Sequence, residues 1–152
     1  QLLESAVKDT AWMRRMPGQA MRVAWLSGAF MLAERMDEAE AFARRGLELA
    51  DESKDKGTRA WLLGIQGDLR AKCKPMDVEQ AKASYEDALA LGQQLGMRPL
   101  QAHCHLGLAE IYASEKNLAK ARSELLSAAE LYRSMSMQSW MSKTESALSN
   151  LD

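Results

Sequence analysis

Three consecutive residues, His103-Cys104-His105, set two imidazoles and a thiol side by side, the donor types that bind zinc. Their spacing argues against that use. Successive helix residues point about 100° apart, whereas two ligands on one helix need i, i+3 or i+4 separation. Cys73 is the only other thiol and no HExxH or CxxC accompanies it, so no metal site is expected. Glu110 and the group Asp37, Glu38 and Glu40 could supply general acids or bases, but they fit exposed helix positions and define no cleft. Gly64 and Gly67 lie inside a helical pattern rather than after a strand, and there is no GxxxxGK[ST], so a phosphate cradle is not expected. Trp25, Trp61 and Trp140 are expected to pack rather than to form a ligand box. The reading is of a chain that is not an enzyme, with no catalytic residue and no cofactor.

The elements that carry these residues are helices. His105, Leu108, Ala109 and Tyr112 fall at i, i+3, i+4 and i+7, one stripe of a helix expected to start at Pro99. Leu118, Ala121, Leu125, Ala128 and Tyr132 form a second stripe, with Asn117 as its N-cap. Ser114 to Lys116 leaves room only for a tight turn, so the two stripes are expected to face each other as a helical hairpin. Ala109, Ala121 and Ala128 would be its close contact points.

Composition agrees. The 152 residues are 47% hydrophobic and 27% charged, with three prolines and few β-branched residues, an all-α composition in a chain long enough to fold as one domain. A formal net charge of −1 and no run of Lys or Arg longer than two make nucleic acid an unexpected partner. No apolar run approaches the roughly 20 residues that span a bilayer, and Gln1-Leu2-Leu3-Glu4 is no basic leader, so no membrane partner is expected. The opening Gln1 suits a segment of a longer chain or a processed terminus. Cys73 and Cys104, isolated from each other, read as reduced thiols of a cytoplasmic protein.

Self-similarity organises the rest. Leu3-x-x-Ala6, Ala43-x-x-Gly46, Tyr85-x-x-Ala88 and Leu125-x-x-Ala128 share one pattern, and their small residues stand 40, 42 and 40 positions apart. Ala39, Ala81 and Ala121 keep the same period, 42 and 40 apart. Val23, Leu26, Ser27 and Phe30 occupy the places of His105, Leu108, Ala109 and Tyr112, and Pro17 that of Pro99. In the middle copy Leu62, Ile65, Gln66 and Leu69 fit, Gly64 and Gly67 are expected to weaken the helix, and about three extra residues lengthen the turn around Lys72 to Met76. Asp77 with Gln80 then reads as a capping box. Eight helices are expected, at 1–15, 18–33, 36–53, 58–71, 78–95, 99–114, 118–135 and 138–150.

Small, large and aromatic residues at these spacings resemble the tetratricopeptide repeat, in a variant longer than the usual 34 residues and similar to kinesin light chain repeats and the helical arms of large bacterial regulators. Departures stand at the family's first-helix Trp, here Val23, Leu62 and His105, and at its Gly, here Ser27, Gln66 and Ala109. A narrower likeness, in Leu-Gly-Met-Arg-Pro-Leu-x-Ala-His-Cys-His-Leu-Gly-Leu-Ala and Leu-Tyr-Arg-Ser-Met-Ser-Met-Gln-Ser-Trp between Leu95 and Trp140, resembles the C-terminal repeats of bacterial signalling proteins that join a nucleotide cyclase to a large ATPase domain.

The resemblance implies one domain over 1–152, a right-handed superhelix of antiparallel helical hairpins at 18–53, 58–95 and 99–135, flanked by an unpaired helix 1–15 and a capping helix 138–150. It implies a scaffold or a module for binding a protein, a peptide or neighbouring domains of its own chain, the alternative being a purely structural or oligomerisation arm. First helices line the concave face in this family, which makes Met21, Ala24, Gly28, Met31, Leu63, Gly67, Arg70, His103, Leu106, Glu110 and Ser114 the candidate partner contacts. With Ala24, Gly28, Leu106 and Glu110 there, a basic clamp for a terminal carboxylate is not expected; a partner with apolar anchors and a basic residue near Glu110 fits better. In the last helix Trp140, Ala147, Leu148 and Leu151 are expected to pack inward, with Lys143, Glu145, Ser146, Ser149 and Asn150 wet. Leu2, Leu3, Val7, Trp12 and Met13 give helix 1–15 surplus apolar surface, which is expected to be covered by an earlier repeat in a longer chain and, in this segment alone, by self-association through residues 1–15, a homodimer being one form.

Overall fold

The computed structural model describes residues 18–151, so the expected helix 1–15 and the self-association assigned to it lie outside the described residues. Within them the chain forms seven α-helices and no strand: α1 (Gln19–Leu32), α2 (Met36–Glu52), α3 (Lys56–Lys72), α4 (Val78–Gln94), α5 (Arg98–Ser114), α6 (Leu118–Ser134) and α7 (Gln138–Ser149). Each packs against the next in sequence, and α3 also touches α1 and α5, as in a helical repeat. No helix among the described residues is long and apolar enough to cross a membrane.

The turns explain the period. The helices α2 to α6 are each 17 residues long. Five of the six connections are three residues long and place their middle residue, Glu34, Lys54, Gly96, Lys116 or Ser136, at a φ between 55° and 67°. In each, the next amide bonds back to a carbonyl five residues earlier, as Asn117 does to Tyr112 at 2.9 Å and Met97 to Gly92 at 2.8 Å. This is a Schellman closure, which satisfies helix-end carbonyls at the cost of one left-handed residue. Two such helices and two such turns make 40 residues, and the five-residue turn 73–77 makes the middle copy 42. The insertion is thus two residues, not three.

Starts follow the caps. Asp55 Oδ1 accepts from the Thr58 amide at 3.0 Å, so α3 begins two residues before the expected position. Asn117 caps α6 as expected, accepting from the Lys120 amide at 3.3 Å. Asp77 accepts from the Gln80 amide at 3.2 Å, but its own amide bonds to the Arg70 carbonyl at 3.3 Å, so half of the expected capping box is replaced by a link back to α3. Pro99 sits one residue inside α5, where its missing N–H costs nothing.

The alanines at the repeat period, Ala39, Ala81, Ala88, Ala121 and Ala128, are all fully buried. Around them lies an apolar core with Val23, Leu26, Leu62, Leu69, Leu100, Leu108, Ile111, Leu125 and Tyr132. Gly64 and Gly67 do not interrupt α3. They admit neighbours instead: a Cβ at Gly64 would stand 3.1 Å from Leu100 and one at Gly67 would stand 2.6 Å from the Tyr85 ring.

Three packing expectations are corrected. Trp25 of α1 is 67% exposed, because Val23, Ala24, Leu26 and Ser27 take the buried directions. Leu118 is 48% exposed, one turn short of where α6 meets its neighbour at Ala121. Trp140 stacks on Tyr132 at 5.6 Å between centroids but keeps an exposed edge. Beyond it Ala147, Leu148 and Leu151 pack inward, while Lys143, Glu145, Ser146, Ser149 and Asn150 face solvent.

Candidate functional site

Three of the eleven candidate contacts are buried in the core. Ala24, Gly67 and Leu106 are corrected outright: Ala24 packs with Leu62, Leu106 packs with Leu125, and Gly67 lies beneath the Tyr85 ring, so none has area to offer a partner. Helix α3 contacts α1, α2, α4 and α5, and α5 contacts α3, α4 and α6, which buries positions that a single stripe would leave open. Met21 and Leu63 are half-buried against the core. Gly28 is half-buried beside open space. Arg70 donates to the Ser84 hydroxyl of α4. At the end of α5 the Ser114 hydroxyl donates to the Ile111 carbonyl at 2.6 Å, and Glu110 is exposed.

Met31 stands at an open groove. The end of α1, the first turn of α2 and the end of α3 enclose about 700 Å³ lined by Met31, Leu32, Glu34, Met36, Asp37, Lys72, Cys73 and Lys74. Leu32 is 82% exposed there. Two thioethers and a leucine supply adaptable apolar area, and Lys72, Lys74, Glu34 and Asp37 add charges of both signs to the lining. Cys73 and Lys74 belong to the longer turn 73–77, so the inserted residues help to build this groove. A recess of about 40 Å³ at Glu40, Gln66, Leu69 and Arg70 shares Cys73 with it.

The His103-Cys104-His105 run diverges as helix geometry requires. His103 Nε2 lies 3.0 Å from Asp68 Oδ2 on α3, His105 Nδ1 lies 2.6 Å from Glu124 Oε2 on α6, and Cys104 is buried between. Burial pushes the Cys104 thiol up to about 12, which leaves it protonated at neutral pH. His105 also borders a smaller cleft of about 360 Å³ with Arg98, Gln101, Ser127 and Glu130. Tyr112, expected as a packing residue, is half-buried with the ammonium groups of Lys82 and Lys120 5.2 and 5.1 Å from its ring.

Sequence reasoning passed over Leu32, Met36, Lys72 and Lys74 in the groove, and Asp68 beside His103. The lengthened turn was the available signal for the first set. Nothing in the local pattern marked Asp68, because its partners are 17 and 35 residues away. No family model matches the chain, and no curated protein matches it.

Proposed function

We propose that this chain is a non-catalytic recognition or scaffolding module, built as a tetratricopeptide-like right-handed superhelix of helical hairpins. The repeat of 17-residue helices and three-residue turns, and the additional contacts of α3 with α1 and α5, support that architecture. The observation that carries the function is the groove at Met31, Leu32 and Met36, whose lining joins apolar side chains to charges of both signs at Lys72, Lys74, Glu34 and Asp37. It suits a short peptide with an apolar anchor flanked by charges of both signs. The likeness of Leu95 to Trp140 to bacterial cyclase–ATPase proteins favours a regulatory arm of a larger cytoplasmic signalling protein.

A second reading, a structural arm covered by its own neighbouring domains, is favoured by exposed Trp25 on α1, an aromatic surface outside the groove. Peptides selected from a displayed library should separate the two. For recognition in the groove, amide shifts on peptide binding cluster at Met31, Leu32, Met36 and 72–74, and Met31→Glu weakens binding by about tenfold or more, as loss of an anchor should. Shifts centred on Trp25, or binding indifferent to Met31→Glu, would overturn the groove assignment.

A further inference from the structure

Three helices meet at one carboxylate. Tyr85 of α4 enters between Gly67 of α3 and Gly107 of α5, where no residue with a Cβ would fit without displacing its ring. Its hydroxyl donates to Asp68 Oδ1 at 2.5 Å. His103 of α5 brings Nε2 to 3.1 and 3.0 Å from the two oxygens of the same carboxylate, and its ring stands edge-on to Tyr85 at 6.4 Å. The side chains of Asp68 and His103 are 17% and 32% exposed, so the pair is shielded but not sealed. A neutral imidazole either donates one uncharged hydrogen bond here or turns a lone pair toward the carboxylate, depending on tautomer. An imidazolium donates with a full charge.

We propose that Tyr85, Asp68 and His103 form a proton-operated brace between α3 and α5, tight when His103 is protonated and loosened when it is neutral. The proposal is independent of what the groove binds. The groups facing His103 come from every side. Asp68 approaches from α3 and Tyr85 from α4, Cys104 and Glu110 share α5, and the exposed Lys143 of α7 acts on it only through its charge. Tyr85 and Cys104 stay neutral, since burial raises both. Desolvation pulls the His103 pKa down, but the hydrogen bond and charge of Asp68, with Glu110 behind it, outweigh that and the opposing Lys143, holding it above 6.5. A folded-state value above the unfolded one means the brace stabilises fully below about 6.5 and is lost as pH rises through the folded value.

The test is an NMR titration of the two imidazoles in the whole chain, with His105→Gln to assign them, alongside thermal unfolding between about pH 5.5 and 8.5, a range spanning the imidazole transition. His103 should titrate above 6.5 and shift downward in Asp68→Asn. The wild-type melting midpoint should fall with pH more steeply than that of His103→Gln. A His103 midpoint at or below 6.5 overturns the brace, and the wild-type titration decides this even where a variant fails to fold. So does a midpoint unmoved in Asp68→Asn, or parallel melting profiles for wild type and His103→Gln.

Discussion

Gly67 and Tyr85 are complementary: the tyrosine ring occupies the space a Cβ on residue 67 would need, at 2.6 Å, and Gly107 faces the same ring from α5. Gly67→Ala should therefore destabilise the protein by about 1–3 kcal/mol as an overpacked contact, although alanine is the better helix former by roughly 1 kcal/mol. Gly28→Ala, with nothing within 4 Å of the new methyl, should instead stabilise by about 0.5–1 kcal/mol. Urea unfolding of the two variants checks both signs; a stable Gly67→Ala would mean that Tyr85 is not wedged.

Four of the three-residue turns hold Glu34, Lys54, Lys116 and Ser136 in the left-handed region, where a side chain costs about 1–2 kcal/mol and glycine costs little. Lys54→Gly and Lys116→Gly should each raise stability, by up to about 1 kcal/mol once the greater freedom of glycine in the unfolded chain is subtracted. Calorimetry should show an upward shift of a few degrees for each variant and an additive shift for the pair, since the sites lie in different turns. A lowered midpoint would contradict the turn geometry.

Asp55 accepts from the Thr58 hydroxyl at 2.6 Å and from its amide at 3.0 Å, and these bonds hold its carboxyl below 3.8. A depressed folded value means that this contribution is present above the unfolded value and disappears as pH falls through the folded one. Asp55→Ala should cost about 1 kcal/mol at neutral pH, as an N-cap loss does, and should flatten part of the acid limb of the stability profile. Equal losses for wild type and variant between neutral pH and pH 3 would refute the cap's electrostatic role.

Titration calorimetry with ATP and with GTP should show no saturable heat. Gly64 and Gly67, the glycines that could suggest a phosphate loop, are spent on helix contacts with Leu100 and Tyr85. Micromolar binding of either nucleotide would defeat the non-catalytic reading.

Local sequence determined the helices, because their signals act within a few residues. Asn117, Asp77 and the period-3.6 stripes place α4, α5 and α6 to within a residue of the expected ends, and the alanine markers at 39, 81 and 121 are buried as their spacing required. Tertiary structure decided which faces remain open. Trp25 looked like a core residue and is exposed, whereas Ala24, Gly67 and Leu106 looked like groove residues and are buried, because a helix with neighbours on several sides buries more than one stripe. The groove at Met31 needed the end of α3 brought against the start of α2, and the meeting of Asp68, Tyr85 and His103 needed three helices at once. Such juxtapositions depend on interhelical distances and rotations set by side-chain volume across the stack, and periodicity within one helix carries no information about them.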